Sequence, residues 1–407
     1  MTRVRRRIPK FDAKLKRDAK RALTRAADWL VRNQVTDAWP FWDANRGRFP
    51  YHVLIDPKKR AKRPRMWSTC WKTSRAVQGI LSAYAVTGKK AYLDAAERAL
   101  DYVATLQVFD PGIEPFHGAF REDSPQGTHL AYRDGMEAVQ AFINAYLLTK
   151  NDRWLRHATA GTDYVLRIWQ SDLFPPDYIR PLTGGAKLKI APGMAWCFWA
   201  APLIFAQLAA ITGQRKYVTR GAAPMMDAAI NRYILPSGAL GLRDEDATET
   251  HHLGHTGPLK NVLSNDDGVG EAMLCTWAMT GKKKYLDAAL GMADFWVEVD
   301  VIPERLAAFA SIALFLADVY RLTRDRKYLP AIDRFTRMTL DLQCLDRGDP
   351  EIYGGFIGED MAKTYDRRTV PTDWVDLRIT SYAMIALGKI AADRSKEWGG
   401  AYSCFGW

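Results

Sequence analysis

Asp266 and Asp267 stand side by side in L-S-N-D-D-G-V-G-E-A, at the entry to a stretch of helical spacing. Two adjacent carboxyls push one pKa upward, which keeps an acid available near neutral pH. Asp134 in Tyr132-Arg133-Asp134-Gly135, and Asp373 and Asp376 in T-D-W-V-D-L-R, stand at the starts of other helical stretches. A proton donor and a base or nucleophile on opposite sides of a bond are what cleavage of a glycosidic link requires. Each aspartate also has a plainer use as a helix cap. Asn265 or Asp266 would accept a first-turn N–H, and Asp267 would sit in the first turn, where the dipole favours it.

His251, His252 and His255 lie just upstream, in T-E-T-H-H-L-G-H-T-G. A histidine at this rim could be a base or a ligand contact, and His252 is the candidate for the chemistry. H-x-x-x-H on a helix could bind zinc. Gly254 and Gly257 argue against a helix here and the zincin glutamate is absent, so no metal site is expected. No cofactor is expected either, since the chain carries no phosphate-binding loop, dinucleotide fingerprint or nucleic-acid module. Trp67, Trp71, Trp196 and Trp374 fall at or near helix starts and could stack on flat ligand faces, whereas Trp199 and Trp277 suit core filling. Arg133, Arg378 and Asn265 could contact or neutralise an anionic group, and Tyr132 could abstract a proton.

The elements that position these residues come from a repeat. Thr-Gly-x-x-x-Tyr-Leu occurs at Thr87-Gly88…Tyr92-Leu93 and Thr280-Gly281…Tyr285-Leu286, with variants at Thr149…Trp154-Leu155, Thr212-Gly213…Tyr217-Val218 and Thr323…Tyr328-Leu329. Each copy lies between two helical segments, the glycine ending one and the Tyr and Leu entering the next hairpin's core. The spacing predicts twelve helices near 17–34, 72–86, 90–107, 133–148, 152–170, 194–211, 215–234, 267–279, 283–299, 304–322, 326–343 and 375–393. Connections within a pair are short and those between pairs mostly long, which implies one plain face and one elaborated face. The loops at Gly118-Ala119-Phe120-Arg121-Glu122-Asp123, Gly241-Leu242-Arg243-Asp244-Glu245-Asp246 and Gly355-Phe356-Ile357-Gly358-Glu359-Asp360 read as tight hairpins with acids at the rim.

At 407 residues, 48% of them hydrophobic, the chain can bury a large core. Five single cysteines argue against a disulfide scaffold and fit a reducing compartment. The basic start lacks an apolar run, so no secretory signal is read. No segment is read as membrane-spanning, and a cytoplasmic location is expected. A formal charge of +12 suits a polyanionic partner, as does the basic loop at 55–65; a solvated surface would explain both equally.

Six hairpins with alternating loop lengths resemble the (α/α)6 toroid, an all-α fold with an inner and an outer ring of six helices. The segments after the long loops would be inner, with their N-termini at a common, electropositive mouth. A basic arm (1–16) and a tail (394–407) would flank a toroid over 17–393. The runs W-S-T-C-W-K-T-S-R-A-V-Q-G, A-P-G-M-A-W-C-F-W and N-D-D-G-V-G-E-A are similar to hairpins of toroidal carbohydrate-active enzymes, nearest the unsaturated glucuronyl hydrolases and polysaccharide lyases. The resemblance implies an oligo- or polysaccharide substrate of acidic, uronic-acid character, with Asp134 and Asp266 or Asp267 as acid and base. A lyase would instead use Tyr132 or a histidine with Arg133 or Asn265. Terpene-cyclase toroids share the Gly354-Gly355-Phe356 type of loop, and a non-catalytic helical scaffold is a further reading.

Overall fold

The structure is a computed structural model that describes residues 10–36, 45–55, 67–110, 112, 116–168, 177–181, 188–189, 200–242, 253–254, 256–263, 268–359 and 371–394. Among them run twelve helices: α1 (Ala13–Asn33), α2 (Cys70–Thr87), α3 (Lys90–Leu106), α4 (Tyr132–Thr149), α5 (Asp152–Ile168), α6 (Ala200–Thr212), α7 (Ala223–Tyr233), α8 (Val269–Thr280), α9 (Lys283–Glu298), α10 (Leu306–Thr323), α11 (Leu329–Asp341) and α12 (Leu377–Ala391). The predicted helices are all present. α2, α4, α6, α8, α10 and α12 are buried along most of their length, the pattern of helices surrounded by other helices. α2 packs against both α4 and α12, α4 against α6, α6 against α8, and α10 against α12 and, more lightly, α8. That is a closed inner ring, and the fold is an (α/α)6 toroid.

α10 is long and apolar enough to cross a membrane, contrary to the sequence expectation, yet most of it is buried inside the ring. Its apolarity is that of a core helix. Among the described residues Cys70 and Cys344 are free thiols, Cys70 fully buried.

The repeat has a fuller physical meaning than core filling. In every copy the threonine Oγ1 donates to the carbonyl four residues back and accepts the N–H two residues on, as Thr87 does with Ala83 at 2.7 Å and Lys89 at 3.3 Å. The same pair of bonds forms at Thr149, Thr212, Thr280 and Thr323. Gly88, Gly213 and Gly281 then turn left-handed at φ near 70°, ending each helix. Lys150 (φ 58°) and Arg324 (φ 62°) take that conformation without glycine's freedom. The tyrosines reach back to the previous outer helix: Tyr92 donates to Asp28 at 2.6 Å, Tyr217 to Asp163 at 2.9 Å and Tyr328 to Asp294 at 2.8 Å. Lys89, Lys216 and Lys327 pair with the same aspartates.

On the opposite side the long loops fold into two antiparallel three-stranded sheets, ordered β1-β6-β5 and β2-β3-β4. Their strands are β1 (His52–Leu54), β2 (His129–Ala131), β3 (Asp177–Pro181), β4 (Leu188–Lys189), β5 (Ile357–Glu359) and β6 (Pro371–Asp376). Strands this short leave no periodic trace in the sequence, and two of the pairings, β1 with β6 and β2 with β3, join segments far apart in the chain.

Gly281→Ala is expected to destabilise the fold by about 1 kcal/mol, because alanine resists a left-handed φ. Lys150→Gly is expected to stabilise it by about 0.5–1 kcal/mol for the converse reason. Urea unfolding of both variants beside the parent checks the pair.

Candidate active site

Three inner helices, α12, α2 and α4, bring their N-termini together beneath the first sheet. Asp376 is the N-cap of α12, and its Oδ1 accepts the Ile379 N–H at 3.0 Å. Its Oδ2 faces two further groups, His52 Nδ1 at 2.8 Å and Lys72 Nζ at 3.3 Å. Burial alone would raise this carboxyl; Lys72, His52 and the backbone N–H together hold it well below the usual carboxylate range. It is therefore ionised. Strand pairing sets the geometry, since β1 and β6 place His52 opposite Asp376 and Leu54 opposite Trp374. β5 passes so close that a side chain at Gly358 would meet the Cβ of Asp376 at 2.0 Å.

Lys72 is fully buried on the first turn of α2. Its Nζ lies 3.1 Å from the centre of the Tyr51 ring and 5.2 Å from that of Trp71. Burial lowers its pKa to about 7; Asp376 opposes the shift, while Arg378 and Arg133 add to it. Three cations thus share one electrostatic neighbourhood at helix N-termini that already favour anions.

Asp134, in the first turn of α4, is wholly buried, and the Glu122 carboxyl is its nearest acidic neighbour in electrostatic effect. Burial pushes Asp134 well above its ordinary value, the Glu122 carboxyl pushes further, and Arg133 pulls back. Glu122 arrives on the Gly118–Asp123 hairpin, which is fastened to α2 by the Cys70 N–H donating to the Glu122 carbonyl at 2.9 Å. Arg133 lies over the Trp71 ring at 4.7 Å. One turn deeper, Arg75 pairs with Glu137, stands 4.8 Å from the Tyr382 ring and forms a buried polar floor.

The structure therefore unites Asp134, Arg133, Trp71 and Arg378 with Asp376, and sets half-buried Trp374 5.8 Å from the His52 ring. Trp67 is half-buried at the entry to α2, paired with Pro50. Tyr132 is turned the other way, buried with its ring 5.8 Å from Tyr164 on outer helix α5. Asp266, Asp267, Asn265, His251, His252, His255 and Trp196 lie outside the described residues. The cap of α8 differs from expectation: Gly268, left-handed at φ 75°, takes the N-cap place and Glu271 is the first-turn acid.

Reading the sequence missed His52, Lys72 and the pairing of Glu122 with Asp134. Lys72 and Arg75, charged positions in a helix otherwise read as inner, were the available signal. His52 had none, because its partner lies more than three hundred residues away.

No protein-family model matches the chain, and no curated protein matches it in sequence. Solved structures do match in fold. A sugar epimerase from a ruminal bacterium shares 14% identity over 91% of this chain and 98% of its own, with a TM-score of 0.64. An unsaturated glucuronyl hydrolase specific for heparin shares 14% over 92% and 97%, at 0.63. An inactive variant of an α-1,6-mannanase of Salegentibacter, with two adjacent aspartates changed to asparagine, shares 12% over 93% and 98%, at 0.56. All have the toroid, and at these identities the likeness is one of fold.

The two buried aspartates are expected to respond oppositely to pH. Asp134, raised in the folded state, costs stability as pH climbs above its unfolded value near 3.8, by about 1.4 kcal/mol for each tenfold fall in proton concentration until the folded carboxyl also ionises. Asp134→Asn should then be the more stable protein at pH 7, its advantage fading as the pH approaches 4. Asp376 is depressed, so its contribution is present above its unfolded value of 3.8 and is lost as pH falls below it. Asp376→Asn should be destabilised at pH 7 by about 3–5 kcal/mol, since it strips a buried lysine of its partner, and the deficit should shrink in acid. Denaturant unfolding at pH 2, 4 and 7 measures both, the interval from 7 to 4 reading Asp134 and that from 4 to 2 reading Asp376.

Proposed function

We propose that the mouth formed by α2, α4 and α12 hydrolyses a glycosidic bond in an oligo- or polysaccharide bearing uronic acid or a similar anionic sugar. The observation that carries this reading is the meeting of Lys72, Arg133 and Arg378 at three helix N-termini with a wholly buried carboxyl, Asp134, whose pKa burial and the neighbouring Glu122 carboxyl raise well above its ordinary value. The cations suit a carboxylate-bearing ring. A carboxyl whose pKa is raised in this way suits donation to the oxygen that leaves when the glycosidic bond breaks. Trp67 and Trp374, half-buried beside the charged groups, are apt for stacking on sugar faces.

Fold neighbours support a carbohydrate substrate: one is a glucuronyl hydrolase and another a mannanase. The mannanase variant, inactive with two adjacent aspartates replaced, also keeps the Asp266-Asp267 pair in view as a second carboxyl centre.

Ultraviolet absorbance over time, with unsaturated uronyl oligosaccharides and intact acidic polysaccharides as substrates, tests the reading. Falling absorbance on the unsaturated oligomers is expected, and Asp134→Asn should lower kcat by about 10²–10⁴-fold. Rising absorbance on the polymers would mean elimination instead. A flat trace accompanied by no new reducing ends would overturn the proposal, and conversion of one reducing sugar into its epimer would replace hydrolysis with isomerisation.

A further inference from the structure

The hydrolytic reading leaves one half of the chemistry without a group, because Asp134 supplies a proton and a second group must remove one. On β1, against the N-cap of α12, stands His52. Its Nδ1 is buried and lies 2.8 Å from Asp376 Oδ2, while the side chain as a whole keeps 18% of its surface exposed. The ring is fixed on both sides, with Tyr51 edge-on at 4.2 Å and Trp374 at 5.8 Å. Asp376 is itself immobilised, by the Ile379 N–H on one oxygen and Lys72 on the other. The Asp376 charge 2.8 Å from Nδ1 favours the imidazole tautomer that carries its proton there, leaving the lone pair of Nε2 as the ring's basic site.

We propose that His52 is a catalytic base of this mouth, positioned by Asp376 and Lys72 and acting opposite Asp134. The step rests on the hydrolytic reading above. Nε2 takes a proton from water as the water oxygen bonds to the sugar's anomeric carbon. The bond from that carbon to the bridging oxygen breaks, its electron pair stays on that oxygen, and the Asp134 proton joins it. The products are the hydrolysed sugar and its leaving alcohol, with His52 as imidazolium and Asp134 as carboxylate. Return of one proton from His52 to Asp134 through solvent restores the starting state.

Lys72 takes the part of a positioning residue. It stands beside the same carboxylate oxygen that holds His52, buried under an aromatic ring, with Arg133 and Arg378 as the next cations. Its charge keeps Asp376 ionised and therefore keeps the imidazole tautomer.

Two measurements on the full chain test the assignment. In [13C]histidine-labelled protein the His52 Cε1–Hε1 resonance is identified by its absence from His52→Gln, and D-glucuronate is added as the probe. A saturable shift of that resonance, lost in Asp376→Asn, is expected. A resonance indifferent to glucuronate overturns the assignment, whether or not the wild type turns over any polymer. On an oligosaccharide that the wild type cleaves, His52→Ala should lower kcat by about 10²-fold or more with KM little changed, and free imidazole should restore part of the rate. Full activity in His52→Ala, or a loss that imidazole does not relieve in a folded variant, places the base elsewhere. A wild type inactive on every saccharide sinks the hydrolytic reading alone, and the resonance still decides whether His52 meets a sugar acid.

Discussion

Ring closure is the constraint on which this molecule depends. Six inner helices can be apolar around nearly their whole circumference only if each has neighbours on every side, and the first and last hairpins must meet for that to hold. They meet through specific contacts. Gln343, after α11, donates to the Ala22 carbonyl of α1 and to the Gly354 carbonyl of its own hairpin, both at 2.9 Å. Trp29 Nε1 donates to the Glu351 carbonyl at 2.7 Å, and Lys16 pairs with Asp393 at 2.6 Å. The same device recurs around the ring, as Gln34 bonds Gly47 and Ala95, and Gln107 bonds Gly118 and His157. In each case a glutamine after one outer helix ties a left-handed glycine to the next outer helix.

Closure also creates the polar site. Inner helices that begin at a common mouth leave their first N–H groups without intrahelical partners, and the loops must satisfy them. Asp376 does so for α12 and remains an ion because three donors surround it. Asp134, at the same level of α4, faces another carboxyl and is shifted the other way. Two chemically identical side chains are pushed in opposite directions by what the loops bring to them.

Hydrophobic spacing and the Thr-Gly repeat sufficed to read the architecture from the sequence, because both are local signals that recur. Asp134, Arg133, Trp71 and Arg378 were legible as candidates because helix starts are recognisable and inner helices share one mouth. Partnerships were not. Glu122 could be read as a rim acid, but only the bond from Cys70 to its carbonyl places it against Asp134. His52 meets Asp376 through a strand of three residues whose pairing no period announces. The repeat's tyrosines looked like core residues, and they do fill the core. Their hydroxyls also fasten each outer helix to its predecessor, a role visible only once the ring is assembled.

The salt bridge from Lys16 to Asp393 and the bond from Lys16 Nζ to the Ala392 carbonyl bring the two ends of the folded ring side by side. A toroid with adjacent ends has no privileged first hairpin. Its chain could be reopened at a short turn on the plain face, such as Gly281-Lys282, and the old ends joined by a linker, with every mouth loop still continuous. The order of hairpins along the gene is then a matter of descent rather than of physics, and circular permutants offer a way to ask which hairpin must be made first for the ring to close.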